Sequence, residues 1–241
     1  MAVSIFARPV TRSKLSGEIE NILLKGIIKG QLRIGEKLPP ERELAKDLDV
    51  NRSTVRTALS KLESLDLIEI RHGDGLYVKD YLKSGNLELI LAMIRLDEEQ
   101  RDHIIATLLE FRTITGPDMA ALAAKNRTVE HLGMLKEVIE NRELSVLEKD
   151  VEVHHIIALA SMNILYLVLL NFFNKFVYDY GHLYFNDPEN QKRSLKFHQD
   201  IHAAVLAGDE KKARKVMADV LAFAEDEVAQ ELSIIKRPGR E

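Results

Sequence analysis

The spacing of apolar residues changes character twice within the first eighty positions. Leu15, Ile19, Ile22, Leu23, Gly26 and Ile27 recur at helical spacing, and Gly30 is placed to end that helix. Pro39-Pro40 starts a second, shorter helix with Leu44, Ala45 and Leu48 on its apolar face. Asp49-Val50 makes a turn, and Asn51 can cap a third helix by accepting a bond from one of its orphan backbone N–H groups. In that third helix Val55, Ala58, Leu59 and Leu62 form one apolar stripe, while Arg52, Ser53 and Arg56 fall on the other side or at its start. After Leu65 the period drops to two. Ile68-Glu69-Ile70-Arg71 and Leu76-Tyr77-Val78 alternate around His72-Gly73-Asp74-Gly75, which predicts a hairpin.

Three helices followed by a small hairpin make a winged helix-turn-helix over residues 1–80. From Asn86 onward no strand pattern recurs. Long helical periods fill the rest, with interruptions near Arg127-Thr128, Glu143-Ser145, Asp187-Pro188 and Gly208-Asp209. The predicted fold is mainly α, with an all-helical bundle over residues 81–241 behind the winged helix. The most apolar stretch, Ile156 to Phe173, is broken by Ser161, Asn163 and Asn171, so it reads as a buried helix rather than a membrane span.

Composition narrows the classes. The 241 residues suffice for two domains that each bury a core, and 46% hydrophobic with 30% charged residues is ordinary for a globular chain. With no cysteine there is no disulfide framework and no thiol chemistry. The opening MAVSIFARPVTRSK lacks the apolar core of a signal peptide, and a cytoplasmic location is expected. Gly30 to Lys37 reads GQLRIGEK, a near miss to a phosphate-binding loop. The lysine falls one place late, no Ser or Thr follows and no strand precedes it, so a helix end and a turn account for the segment. Net charge is −4, yet residues 1–80 carry 14 Lys/Arg against 12 Asp/Glu, leaving the acidic excess to the rest. The position of the cations matters more than that small surplus.

A recognition helix packs one face on its own domain and presents donors on the other. Arg52, Ser53 and Arg56 lie in the first two turns, the part that reaches base edges when such a helix enters the major groove. The planar fork of arginine can donate twice to guanine O6 and N7. Ser53 and Thr54 can bond phosphates, Arg42 lies where the second helix crosses the backbone, and His72 and Gly73 sit at the tip of the wing. The same charges on a solvated helix face, or a module that contacts protein, would give a similar composition.

The stretch GQLRIGEKLPPERELAKDLDVNRSTVRTALSKLESLDLIEIRHGDGLYV resembles the amino-terminal domain of the GntR family of bacterial regulators. That family's pattern runs G-x-x-x-x-G-x-x-L-P-[ST]-E-R-x-L-A, then V-[ST]-R-x-[ST]-V-R-x-A-L, then G-x-G-x-x-V. Pro40 stands where a capping Ser is usual and Asn51 where Ser or Thr is usual, and both still start a helix. The resemblance implies a double-stranded DNA operator, read as an inverted repeat by a homodimer. It puts Arg42, Arg52, Thr54, Arg56, His72 and Gly73 at DNA-contacting positions.

The remainder resembles the carboxyl-terminal domain of the FadR branch, through LLEFRTITGPDMAALAA, DVEVHHIIALASMNILY and HLYFNDPE. In that branch the bundle holds a small carboxylic acid, often beside a metal ion, or a fatty acyl-CoA thioester. Asp150 and His154 are four apart and share a helix face, the geometry for two ligands on one divalent ion such as zinc or nickel. By the resemblance His198 supplies the next ligand, and the fourth falls at Val220, which cannot bind metal. His202, one turn after His198, is the available substitute. The acyl-CoA branch carries a Gly-x-Glu-Ser cluster and a nearby Trp on the last helix, where this chain reads LAFAEDEV. Arg112 and Tyr184 recur under either ligand. An arginine on a mostly apolar helix face suits a carboxylate or thioester carbonyl, or else a salt bridge to a neighbouring helix. Two other readings of the bundle stand beside these. One is a metal-dependent hydrolase, although no H-E-x-x-H or nucleophile motif occurs; the other is a dimerisation module without an effector.

Overall fold

A computed structural model of the protein describes residues 12–232. Residues 1–11, which include most of the stretch read above for a leader, and residues 233–241 lie outside the described residues. The chain divides into two compact units, with the boundary in sequence between Arg101 and Asp102.

The first unit opens with α1 (Arg12–Ile28), which ends as Gly30 takes a left-handed φ of 69°. Helices α2 (Glu41–Asp47) and α3 (Arg52–Ser64) follow, joined through a turn at Asp49, whose own φ is 51°. Strands β2 (Ile68–Arg71) and β3 (Gly75–Val78) form the expected hairpin, with Arg71 opposite Gly75 and Ile68 opposite Val78. A short strand β1 (Lys37–Leu38) pairs antiparallel with β3, so the sheet order is β1-β3-β2. The sequence pattern did not show β1, because two residues are too few to display an alternation.

Leu24, Val55, Leu59, Leu62, Leu65 and Leu67 are fully buried between α1, α3 and the sheet. On α1 the buried stripe is Ile19, Leu23, Leu24 and Ile27, whereas Leu15 and Ile22 face outward. Ile22 lies about 100° around the helix from Leu23, so one face cannot bury both equally. Two further helices complete this unit, α4 (Tyr81–Ser84) and α5 (Leu87–Ile94). Leu89 of α5 joins the winged-helix core, and Asn86 ties the helix to α3 by donating to the carbonyl of Ser64 at 2.9 Å.

The second unit is helical: α6 (Glu98–Asn126), α7 (Val129–Glu140), α8 (Val146–Ala160), α9 (Ile164–Tyr180), α10 (His182–Phe185), α11 (Pro188–Ala207) and α12 (Glu210–Glu231). The breaks follow local chemistry. Thr128 and Ser145 form reciprocal capping boxes with His131 and Glu148. Asp187 caps α11 with Pro188 in its first turn, and Gly208 closes that helix at a left-handed φ of 68°. The apolar run Ile156 to Phe173 is two helices rather than one. Met162 turns the chain at φ 57°, and Asn163 caps α9 by accepting from the Leu165 N–H. Among the described residues no helix is long and apolar enough to cross a membrane. The core stacks Ala120, Ala123 and Ala124 of α6 with Leu135, Val153, Ile157, Ile201 and Met217, where small α6 side chains permit close packing.

Candidate functional site

Two constellations carry chemistry, one in each unit. In the first, the side-chain oxygen of Asn51 accepts from the Thr54 N–H at 2.9 Å, the Thr54 hydroxyl at 2.9 Å and the Ser53 hydroxyl at 2.5 Å. That cap fixes the start of α3 and puts Arg52 in its first position and Arg56 one turn on. Arg42, Arg52, Ser53 and Arg56 are exposed. Thr54 departs from its expected role. It is buried and its hydroxyl is spent on Asn51, so it braces the helix and does not present a phosphate donor.

Arg56 is not loose in solvent. Its Nε and Nη2 donate to the two oxygens of Glu41 at 3.1 and 2.9 Å, and Arg52 approaches the same carboxylate at 3.9 Å. The bond from Arg56 holds the Glu41 carboxyl below the usual carboxylate range. At the wing, Gly73 adopts φ 78°, a conformation that glycine reaches without strain, and His72 and Gly73 stand exposed at the tip. Asp74 accepts from Lys37 and from the Tyr77 hydroxyl, both at 2.9 Å, and the Arg71 guanidinium lies 4.3 Å from the centre of the Tyr77 ring. The wing thus carries two further braced cations, Lys37 and Arg71. Sequence reasoning missed both, since neither lies in the recognition helix.

In the second unit Asp150 and His154 of α8 meet Ser194 and His198 of α11. Asp150 Oδ1 accepts from the Ser194 hydroxyl at 2.7 Å and lies 3.1 Å from His198 Nε2, while Oδ2 is 3.7 Å from His154 Nε2. His198 Nε2 is also 3.2 Å from Ser194 Oγ, and its buried Nδ1 has no partner. Burial would raise the Asp150 carboxyl, but the two imidazoles and the Ser194 hydroxyl outweigh it and hold the group below the ordinary range. Burial pushes His154 down to about 4, aided by Arg112 and His198 and opposed by Asp150, so its ring is neutral at pH 7.

Asp150 and His154 also line a cavity of about 70 Å³ with Arg112, Tyr180, Tyr184 and a largely apolar wall that includes Phe176, Val220, Leu221 and Val228. A smaller cavity of about 30 Å³ shares Arg112, His154 and Leu221 with it. Arg112 is half-buried, and among the described residues no ion pair to a carboxylate is seen for it. Burial lowers its pKa, opposed by the nearby Asp150 charge. The Tyr184 hydroxyl is buried without a partner, and burial followed by the Asp150 charge raises it to about 12.

The expected metal ligands are therefore brought together, but as a hydrogen-bonded cluster. Asp150 Oδ1 is engaged by Ser194 and His198, the fourth position is the apolar Val220, and His202 does not line the cavity. Among the described residues no group of three or more His, Asp or Glu side chains is arranged to hold an ion.

The family model for bacterial regulatory proteins of the gntR family matches residues 15–78, and that for the FadR C-terminal domain matches residues 79–227. The chain belongs to the GntR family, with a FadR-type carboxyl-terminal domain. Among its relatives are the fatty acid metabolism regulator protein of Shewanella sp. (strain ANA-3), 29% identical over 78% of this chain and 79% of that one, and the HTH-type transcriptional regulator LutR of Bacillus subtilis (strain 168), 29% identical over 83% and 94%. A solved structure described as Lar, which controls the Listeria monocytogenes agr system, aligns at a TM-score of 0.56 with 18% identity over 92% of this chain and 98% of that one, a likeness of fold alone. The family consists of transcriptional regulators, so the protein is a DNA-binding regulator and the hydrolase alternative falls.

Proposed function

We propose that this regulator binds an inverted-repeat operator as a homodimer, through the start of α3 and the wing, and that a fatty-acyl compound controls it from the helical unit. The acid or thioester carbonyl of that effector meets Arg112 and Tyr184, and its apolar chain runs along the cavity wall. One observation carries the reading: Arg112 lines a cavity with a largely apolar wall, beside Tyr184, whose buried hydroxyl has no hydrogen-bond partner. A guanidinium whose only nearby counter-charge, Asp150, is already engaged by Ser194 and His198 gains from an anionic or strongly polar ligand oxygen. The name of the Shewanella relative, a fatty acid metabolism regulator protein, agrees with an acyl chain. The site works without a resident metal in this reading, and a regulator of operator DNA acts in the cytoplasm.

Dimerisation has its own support. On α9 Ile164, Leu165 and Val168 are 68%, 66% and 51% exposed, an apolar strip suited to cover by a second copy. A two-fold dimer demands half-sites related by the same symmetry. Gel shifts of the full-length protein against palindromic duplexes enriched from a random library should show tight binding that weakens steeply with salt, as phosphate neutralisation releases counterions. Equal affinity for enriched and random duplexes at physiological salt contradicts operator recognition. For the effector, thermal midpoints measured with acyl-CoA thioesters of increasing length should rise with chain length. A rise with short acids alone contradicts the fatty-acyl assignment.

A further inference from the structure

The first unit contains a charged contact that DNA binding itself does not explain. Glu41 stands in the first helical position of α2, where the helix dipole favours a negative charge. Arg56 stands in the second turn of α3, fifteen residues later. The two helices pack side by side through Leu44 and Ala45 against the Val55 and Leu59 face, which fixes the distance between the side chains. Across it the Glu41 carboxylate takes Arg56 side-on, through Nε and Nη2.

We infer that Glu41 is a positioning residue for base recognition: it holds the Arg56 guanidinium so that the opposite edge of the fork faces the DNA. Guanidinium has five N–H donors in one plane. The carboxylate consumes the Nε proton and one Nη2 proton. Both Nη1 protons and the second Nη2 proton remain, and that Nη2 proton with one of the Nη1 protons forms the end-on pair that matches guanine O6 and N7. Side-on capture also fixes the plane of the fork. An arginine with free rotamers loses that freedom on binding, whereas one already held by a carboxylate loses less. Arg52, 3.9 Å from the same carboxylate, feels the same restraint more weakly. Arg56 itself is 65% exposed along its side chain, so the free edge is open to a groove.

A purely structural ion pair at this exposed position would contribute little. A positioning role predicts something else, namely that Glu41, although negative and close to DNA, improves discrimination between sequences. The inference rests on Arg56 reading a base, and the test separates the two ideas. A duplex library is enriched on the full-length wild type, and the most enriched duplex and its scrambled version serve as probes. Arg56→Ala, Glu41→Ala, Glu41→Gln and the double variant Glu41→Ala/Arg56→Ala are compared for the ratio of the two affinities. Thermal midpoints verify that each variant folds.

Arg56→Ala should lower the ratio by about tenfold or more, the scale of one lost bidentate base contact. Glu41→Ala should lower it in the same direction while affinity for the scrambled duplex holds or rises, because a negative charge has left the interface. Glu41→Gln keeps one acceptor and should fall between. In the Arg56→Ala background Glu41→Ala should cause no further loss of ratio. An equal gain on both duplexes from Glu41→Ala would make Glu41 a mere competitor for Arg56 and overturn the inference. A loss that persists without Arg56 would mean that Glu41 contacts a base itself, with the same consequence. An unchanged ratio in Arg56→Ala removes Arg56 as a base reader and this inference with it.

Discussion

Asp150 and His198, forty-eight positions apart in the chain, meet at 3.1 Å across the interface of α8 and α11. With the Ser194 hydroxyl on the same oxygen, the carboxylate has its counterparts within the protein. Arg112, although near enough to feel the Asp150 charge, forms no ion pair with it. In the proposed reading, Arg112 in the cavity wall is then the cation that an anionic ligand would meet.

A first consequence concerns metals. Because Asp150 is engaged and Val220 fills the fourth position, protein incubated with zinc or nickel and then desalted should retain less than one ion per chain by native mass spectrometry. A chelator should leave effector response unchanged. A stoichiometric ion that disappears in His154→Gln contradicts this.

Stability should depend on His154 in a defined pH window. Its folded pKa of about 4 lies below the ordinary value of 6.5, so between those limits the unfolded chain binds a proton that the folded chain refuses. Stability is then full above pH 6.5 and falls as pH drops toward 4, by a few kcal/mol at most. Asp150 adds loss only at lower pH, since its pKa is held below 3.8. Urea titrations in chelator-treated buffer at pH 7.5 and pH 4.5 should differ less for His154→Gln than for the wild type. An equal difference in both proteins would show that other groups set the slope.

The cap of α3 should matter twice. Asn51→Ala removes an acceptor shared by three donors, so the first unit should lose about 0.5–2 kcal/mol of stability, and operator affinity should fall as Arg52 and Ser53 lose their fixed start. Asn51→Ser, a good cap, should restore most of both. Unchanged denaturant midpoints in Asn51→Ala would show that the packing of Val55, Ala58, Leu59 and Leu62 holds the helix without the cap.

Much of this was legible from the residues alone. The α3 stripe of Val55, Ala58, Leu59 and Leu62 and the alternation around His72 to Gly75 fix the winged helix, because period and turn chemistry are local. Asp150 and His154 could be paired because they lie on one helix face. Ser194, one turn before His198, was overlooked; paired polar residues four apart on α8 and α11 were the available signal. Glu41 could not be found from its spacing, since its contact with Arg56 depends on the angle set by the Asp49 turn. Thr54 was misassigned for a related reason: a hydroxyl near a helix start serves the cap or the phosphate, and burial chooses between them.

The most direct test of the account is the effector response of Arg112→Ala. The wild-type complex with its enriched duplex is titrated with long-chain acyl-CoA thioesters and with short organic acids, and the variant is titrated with whichever compound acts. The account predicts that Arg112→Ala binds the duplex with near-normal affinity in the absence of effector and no longer responds to it, because in this reading Arg112 serves the ligand. An unchanged response, or loss of basal DNA binding together with a lower thermal midpoint, would contradict it and return Arg112 to a structural role.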